Sequence, residues 1–587
     1  TMKRLVLEGH VDTSQTRQDC AARWSINEPS VNITRVTSTD ISSVVKGNKI
    51  NAILYLNIIP ASLPGGLAFR ITLTCGEAST SMNIVTNAPP LPGYLSVSPK
   101  VGDELTTLFT MIGEEWSDLD LPLSYQFAYL DSSNQLGLTI VDSSQSSHIV
   151  TTLPSGSQDL DVHGNKSYSL ITTLMVYDAL RSSSKTDTII TVRELAKTDQ
   201  QAAMQSLLNT AKDSGSLEQI KKTISVSSSV LNVVNCSSAP NCTNLNRKKC
   251  ATTTQTCGEC LKGYTGLLGV GNSPCHDALA NSINFTELMV ESKACSTAKD
   301  CGTAGELFYD CVSDGKEDIK RCLQKLQRCP SDCSGRGQCY FAHTETGEEL
   351  PTCFVSDLYC EPICNCKSST YTGAACEISQ EDLRIRQGLR TDLFFSLYNI
   401  TISDDVNEET VMSWTGGLVS ITKIPYEISY DGVKKAYEVA QSIITSVEAE
   451  ALQSDVDIQG VPVSLDQLTA VERYNYDPRN LNNDNEEERE SVAYNTFTAP
   501  LLTSVLDSFA SMTSHKVLPG QNSINYVLKS FRMATVVQRF DSKEAINVAQ
   551  TDLEKEIGTL PTSIQLVSLE AAIEVDNEAS IVVTTIE

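Results

Sequence analysis

No stretch of eighteen consecutive apolar residues occurs in this 587-residue chain, and a helix that crosses a bilayer needs about that many. The most apolar region, residues 50–69, is interrupted by Asn51, Asn57, Pro60, Ser62 and Pro64. It therefore predicts strands, and no transmembrane segment within the chain. Positive charge is also scarce. Forty-five Lys and Arg face 72 Asp and Glu, a formal charge of −27, so nucleic acid and anionic membrane surfaces are not expected partners. Histidine occurs only six times, as His10, His148, His163, His276, His343 and His515. No Gly-x-Ser-x-Gly elbow, His-Glu-x-x-His pair or phosphate-binding glycine loop accompanies them. The run Gly269-Val-Gly-Asn-Ser is too short for such a loop and reads as a turn. The expectation is a protein that is not an enzyme and holds no cofactor. The amino-terminal Thr-Met-Lys-Arg-Leu-Val-Leu-Glu has no apolar signal core. The chain is thus expected to be a mature product or an interior piece, with any membrane anchor outside these residues.

Cysteine is missing after Cys376 and nearly missing before Cys236. Eighteen of the twenty lie between those two positions, and only Cys20 and Cys75 fall outside. A short segment poor in large apolar residues cannot hold itself by burial alone, so such clustering predicts disulfide staples and an extracellular or cell-surface location. Zinc is the competing reading for Cys257-x2-Cys260 with Cys275 and His276, but in a secreted six-cysteine set these four read more simply as bridge partners. A bridge between Cys20 and Cys75 would contribute about 4 kcal/mol through loop closure, the alternative being two buried thiols. Six Asn-x-Ser/Thr sequons, at Asn32, Asn165, Asn235, Asn241, Asn284 and Asn399, predict N-glycans. Asn235 and Asn241 each precede a cysteine whose bridge hinders transfer.

Residues 1–195 alternate short Val-, Ile- and Thr-rich runs with turn signals, such as residues 52–59, 69–74, 123–130 and 188–192. This pattern predicts two β-sandwiches, 1–90 and 91–195, meeting near Asn87 to Gly93. Three quoted segments carry a family likeness: Cys20-Ala-Ala-Arg-Trp-Ser, residues 93–127 with their Trp116-x-Asp118-x-Asp120-x-Pro122-Leu-x-Tyr125 pattern, and Val176-Tyr-Asp-Ala-Leu-Arg. Together they resemble the receptor-for-egg-jelly (REJ) region of polycystin-1-like and protist surface proteins. The resemblance implies immunoglobulin- or fibronectin-like sandwiches in an extracellular stalk, without catalysis. Asp118 and Asp120 are expected to cap turns beside Trp116, with a cation as the rarer alternative.

Residues 196–235 predict a helical hairpin, from apolar positions such as Met204, Leu208, Ala211, Ile220 and Ile224. A six-cysteine module occupies 236–276. In 277–328 the residues Cys295, Cys301, Cys311 and Cys322 sit in helix-like sequence and predict a pair of stapled short helices, with three possible pairings. The spacing in 329–376, with Cys333-Ser-Gly-Arg-Gly-Gln-Cys339 and Tyr371-Thr-Gly-Ala-Ala-Cys376, resembles a tenascin-type EGF-like module. That resemblance implies the pairs Cys329–Cys339, Cys333–Cys364 and Cys366–Cys376, which leaves Cys353 and Cys360 to bridge within the insertion.

Residues 377–587 predict an α+β domain, with helical periodicity in 383–397, 432–452 and 491–512 and strands at 534–537, 564–569 and 581–586. Helices ahead of strands resemble the GAIN domain that accompanies REJ regions. One arrangement joins the 195–234 helices to those after 377 and places the cysteine block between them. His515-Lys-Val lacks the hydroxyl nucleophile that self-cleaving relatives require. The acidic run 475–490 reads as a solvated loop, since its spacing fits no calcium hand. The whole predicts a multidomain chain of sandwiches, disulfide modules and an α+β end. Its expected role is a structural or adhesive glycoprotein of a cell-surface stalk, coat or flagellar hair, partnered by other surface proteins or by copies of itself. The alternative is the ectodomain of a polycystin-like receptor or channel. A third reading, glycan binding through aromatics such as Tyr264 or Tyr340, draws on the same surface.

Overall fold

A computed structural model describes residues 5–14, 18–47, 52–130, 137–160, 166–267, 269–277, 294–301, 308–313, 320–344, 348–355, 357, 359–366, 370–450, 452, 458–475, 485–518, 521–528, 530–539, 546–547, 563–564 and 578–586. The first body has strands β1 (Leu5–Val11), β2 (Cys20–Ile26), β3 (Ser42–Val45), β4 (Ala52–Ile58), β5 (Ala68–Cys75) and β6 (Ala78–Val85), with a short helix α1 (Ile33–Val36). Two sheets form, β4-β1 and β3-β2-β5-β6, all antiparallel. Alternation puts Leu7 and Val11 of one sheet against Trp24, Phe69, Ile71 and Leu73 of the other, which is the core. Gly76 at φ +62° opens the two-residue turn between β5 and β6, a conformation that strains any residue with a Cβ.

The second body holds β7 (Tyr94–Ser98), β8 (Val101–Asp103), β9 (Phe109–Glu114), β10 (Ser124–Leu130), β11 (Gly137–Ser144), β12 (His148–Thr151), β13 (Ser157–Leu160), β14 (Lys166–Tyr177) and β15 (Ser183–Arg193). Its sheets run β12-β9-β7 and β11-β10-β14-β15-β8, with β13 on β14 and β8 parallel to β15. Leu95, Val97, Phe109 and Met111 face Phe127, Tyr129, Leu170, Leu174 and Val192. Each of these two bodies is thus a pair of β-sheets packed face to face. Gly93, at the start of the REJ-like stretch, lies under Trp116; a Cβ there would sit 2.1 Å from the Glu114 carbonyl oxygen and 2.7 Å from the indole.

The third body is helical. It comprises α2 (Lys197–Ser214), α3 (Leu217–Leu231), α4 (Gln380–Ser403), α5 (Glu408–Thr422), α6 (Tyr430–Ala449), α7 (Gly460–Asn475) and α8 (Asn485–Ser514), beside a three-stranded sheet of Ile524–Val527, Phe531–Arg539 and Glu578–Ile586. Met204, Leu208, Ile224 and Leu231 share one core with Leu393, Phe394, Trp414, Ile443, Leu468, Phe509 and Met533. The 196–235 hairpin is thus not a unit by itself. Its amphipathic faces lack enough partners within forty residues and are buried against helices more than 150 residues further along the chain. Ser216, Ser379, Asn407 and Ser429 cap α3, α4, α5 and α6 through their side chains.

Residues 309–324 depart from expectation. Tyr309–Ser313 and Lys320–Gln324 are paired strands, not helices, with Cys311 opposite Cys322. Segments this short gain little from helix formation, while two bridges and a ladder fix an extended pair. The string of modules is also not fully drawn out, because Thr39 bridges to Gln521 and the Asn522 amide donates to the Ser38 carbonyl at 3.1 Å. Among the described residues no helix is long and apolar enough to cross a membrane.

Candidate functional site

All twenty cysteines are joined in ten bridges. Cys20 at the start of β2 meets Cys75 at the end of β5, with Cα atoms 5.6 Å apart. In the first module Cys236 pairs with Cys250, Cys242 with Cys257, and Cys260 with Cys275. Cys257 and Cys260 therefore belong to different bridges, and neither thiolate remains to share a zinc ion with Cys275. In the middle segment Cys295 pairs with Cys311 and Cys301 with Cys322. In the last, Cys329–Cys339, Cys333–Cys364, Cys366–Cys376 and Cys353–Cys360 form, the set the EGF resemblance implies.

Sequence reasoning gave Arg247 no role, although it holds the six-cysteine module together. Its guanidinium is buried and donates to four carbonyls: Ser273 at 2.5 Å, Gly258 at 3.0 Å, Gly269 at 2.9 Å and Leu267 at 3.1 Å. Burial brings its pKa down to about 10, partly opposed by Glu259. The turn around Gly269 is held by this side chain. A lone arginine in a cysteine-rich stretch gives no periodic signal of such a role.

The stapled segment leaves the helical body after α3 and returns at α4, and a buried ionic knot ties these two points together. Arg390 of α4 donates to both the Leu231 carbonyl (3.0 Å) and the Asn232 side-chain oxygen (3.1 Å), to the Ile421 carbonyl (2.8 Å), and to Glu427 (2.8 Å). Arg386, one turn earlier, donates to the other Glu427 oxygen at 2.6 Å and also reaches Leu231. Glu427 is itself buried. Desolvation lowers the Arg390 pKa; for Arg386 desolvation acts the same way, but Glu427 outweighs it and the pKa is raised. The nearby Tyr426 phenol is pushed well above its ordinary value by burial and then by Glu427. Two cations thus satisfy the carbonyl end of α3, which has no helical partner of its own.

A second seam joins the helices to the second sandwich. Tyr129 of β10 donates to the Ser225 carbonyl (2.8 Å) and lies 2.7 Å from the Ser229 hydroxyl, both in α3. Lys221 of α3 bridges Asp142 of β11 and Asp404 after α4. Arg181 pairs with Glu409, which also accepts from the Ser143 amide at 3.0 Å and from the Ser143 hydroxyl. Buried Glu104 accepts from the Ser155 and Leu195 amides and the Gln200 amide group. A cavity of about 490 Å³ opens along this seam, lined by Tyr177, Arg181, Lys221, Ser228, Glu408 and Trp414.

The Asp118, Asp120 and Asp178 carboxylate oxygens lie within 4.8 Å of one another where the two sandwiches meet. Asp118 accepts from the Asp120 amide at 2.8 Å, and Asp178 from the Leu180 and Ser182 amides at 2.9 Å. Asp118 and Asp178 thus cap turns, while the Asp120 carboxylate shows no such contact among the described residues. Of the sequons, Asn32 caps α1 and is exposed, as are Asn235, Asn241 and Asn399; Asn165 and Asn284 lie outside the described residues, with most of the 475–490 run. Tyr264 and Tyr340 are half-buried.

No curated protein matches the chain. A family model does, and its limits coincide with a structural boundary, since residue 231 is the last of α3. Residues 1–231, comprising both sandwiches and the first two helices of the helical body, match the REJ domain.

Proposed function

We propose that this chain is a braced extracellular segment whose task is mechanical or adhesive, without catalysis or a resident cofactor. The observation that carries it is the continuity between the REJ-matching region and the helical body: α2 and α3 are packed inside that body, and α3 is keyed to the second sandwich by Tyr129 and Lys221, as α5 is by Glu409. In this reading the 329–376 module is EGF-like, the helices and terminal sheet are GAIN-like, and N-glycans on Asn32, Asn165, Asn284 and Asn399 keep an acidic surface soluble. Partners are other surface proteins or copies of the chain in a coat, stalk or flagellar hair.

The REJ match favours a second reading equally, the ectodomain of a polycystin-like membrane receptor or channel. Cell fractionation separates the two. Antibody to this chain on unpermeabilised cells should label the surface in both cases. Release in sheared, detergent-free filaments supports the structural role, while retention in membranes until detergent is added supports the receptor. Labelling only after permeabilisation would refute both.

A further inference from the structure

The two sandwiches share one plan. β4-β1 and β3-β2-β5-β6 in the first correspond, strand for strand and all antiparallel, to β12-β9 and β11-β10-β14-β15 in the second. The second has two additional strands at the edges. β7 pairs antiparallel with β9, and β8, three residues later, runs parallel to β15. Both come from the single segment 94–103 that directly precedes β9. In the first sandwich the corresponding edges, β1 and β6, have no strand neighbour beyond β4 and β5 among the described residues.

The difference shows in burial. Along β15 the core-facing residues Ile190 and Val192 are 2% and 0% exposed, whereas the core-facing Met82 of β6 is 57% exposed. Met82 stands opposite Ile71, on the core side of its sheet, but the facing sheet has only two strands and does not reach it. β6 carries no charge, no proline and no bulge, the devices that normally protect a free edge. Its outward groups can be identified. The two-residue turn makes Cys75 and Ala78 a hydrogen-bonded pair, and Thr86 continues that parity by donating to the Leu67 carbonyl at 2.9 Å. The amides of Ser79, Ser81, Asn83 and Val85 therefore point away from β5.

We propose that an extended segment of the same polypeptide, joined on the amino-terminal side of β1, completes this sandwich by running antiparallel along β1 and then parallel along β6. The occupant is argued from the chain's own second sandwich, where one preceding segment covers both edges. A second copy fits less well: a two-fold pair would set β6 antiparallel to itself, and each copy carries a charge of −27.

Hydrogen exchange tests this on the 587-residue chain and on the same chain preceded by the residues its precursor places before Thr1. In the longer chain the Ser79, Ser81, Asn83 and Val85 amides should exchange at least about tenfold more slowly, at every protein concentration. Ser81→Pro removes one outward amide without touching the β5 ladder. It should leave the shorter chain folded and abolish the slowing in the longer one. Unchanged exchange in the longer chain, or a precursor with no chain at that position, overturns the proposal. So does slowing in the shorter chain that grows with concentration, which would assign the edge to a second copy.

Discussion

Replacing Arg390 with methionine tests whether the ionic knot holds the root of the stapled segment. The side chain is wholly buried and makes five donor contacts of 2.8–3.1 Å, two of them to Glu427 and the others to the Leu231 and Ile421 carbonyls and to Asn232. Methionine fills much of the volume but donates nothing. Glu427 keeps Arg386, so its charge is not left alone, but it loses half its counter-charge in a dry site. Breaking a buried pair costs about 3–5 kcal/mol, and an orphaned buried carbonyl about 1–3 kcal/mol. A loss of about 4 kcal/mol is expected. The readout is favourable because each body has one tryptophan: Trp24, Trp116 and Trp414 in the first sandwich, second sandwich and helical body. With Trp24 and Trp116 changed to phenylalanine, denaturant melting followed at Trp414 reports the helical body. Limited proteolysis between α3 and α4 should accelerate in step. A loss under about 1 kcal/mol, with proteolysis unchanged, would falsify the idea that the knot secures this junction.

Three further outcomes rest on the same geometry. Changing Cys20 and Cys75 together to alanine opens a loop of 55 residues and should cost about 4 kcal/mol, read from Trp24 fluorescence; a change below about 1 kcal/mol contradicts the bridge. Tyr129→Phe removes the hydroxyl shared with Ser225 and Ser229 and should cost about 1–3 kcal/mol, the second sandwich then melting ahead of the helices; unchanged melting counts against a working seam. Lys221 has a raised pKa, since Asp142 and Asp404 outweigh the opposing effect of burial. A cation raised on folding stabilises fully below its unfolded value, about 10.5 here, and that contribution is lost as pH climbs through the higher folded value. The stability gap between the native chain and Lys221→Met should therefore stay constant from about pH 7 to about pH 10 and shrink above it; a gap that widens at alkaline pH refutes the assignment.

The elements legible in the sequence are those whose signal is local. Alternation in 52–58, 69–74 and 124–130 yields β4, β5 and β10, and three-and-four spacing yields α4, α6 and α8. Cysteine spacing carried the 329–376 pairing through resemblance, because the order of half-cystines in a short module is itself the fold. The missed helix α5 reads Glu-Glu-Thr-Val-Met-Ser-Trp-Thr-Gly-Gly-Leu. Its two glycines and its threonines lower intrinsic propensity, and tertiary burial of Val411, Trp414 and Leu418 supplies what propensity does not. The 309–324 hairpin failed in the other direction, its periodic apolar residues overruled by two bridges. Arg390, Glu427, Tyr129 and Lys221 were invisible because their partners lie 31 to 183 positions away, and no single-sequence pattern links such residues.

Under the proposed mechanical role, the position of the knot decides which parts of the chain bear load. Leu231 ends α3 and Arg386 sits in the second turn of α4, with the whole stapled segment between them in sequence. While Arg386 and Arg390 hold the Leu231 carbonyl, tension arriving along α3 crosses to α4 through side chains and core packing. The cysteine modules then hang beside the load path and are not stretched. They join that path only after the knot fails, and the extension released is limited by nine bridges whose sequence separations run from 7 to 31 residues. A segment needed only as a link in series would not require a charge-paired clamp at its root. A clamp buried at the junction, at the cost of desolvating two arginines and a glutamate, fits a segment that must present its stapled face in one orientation while the body beside it carries the strain.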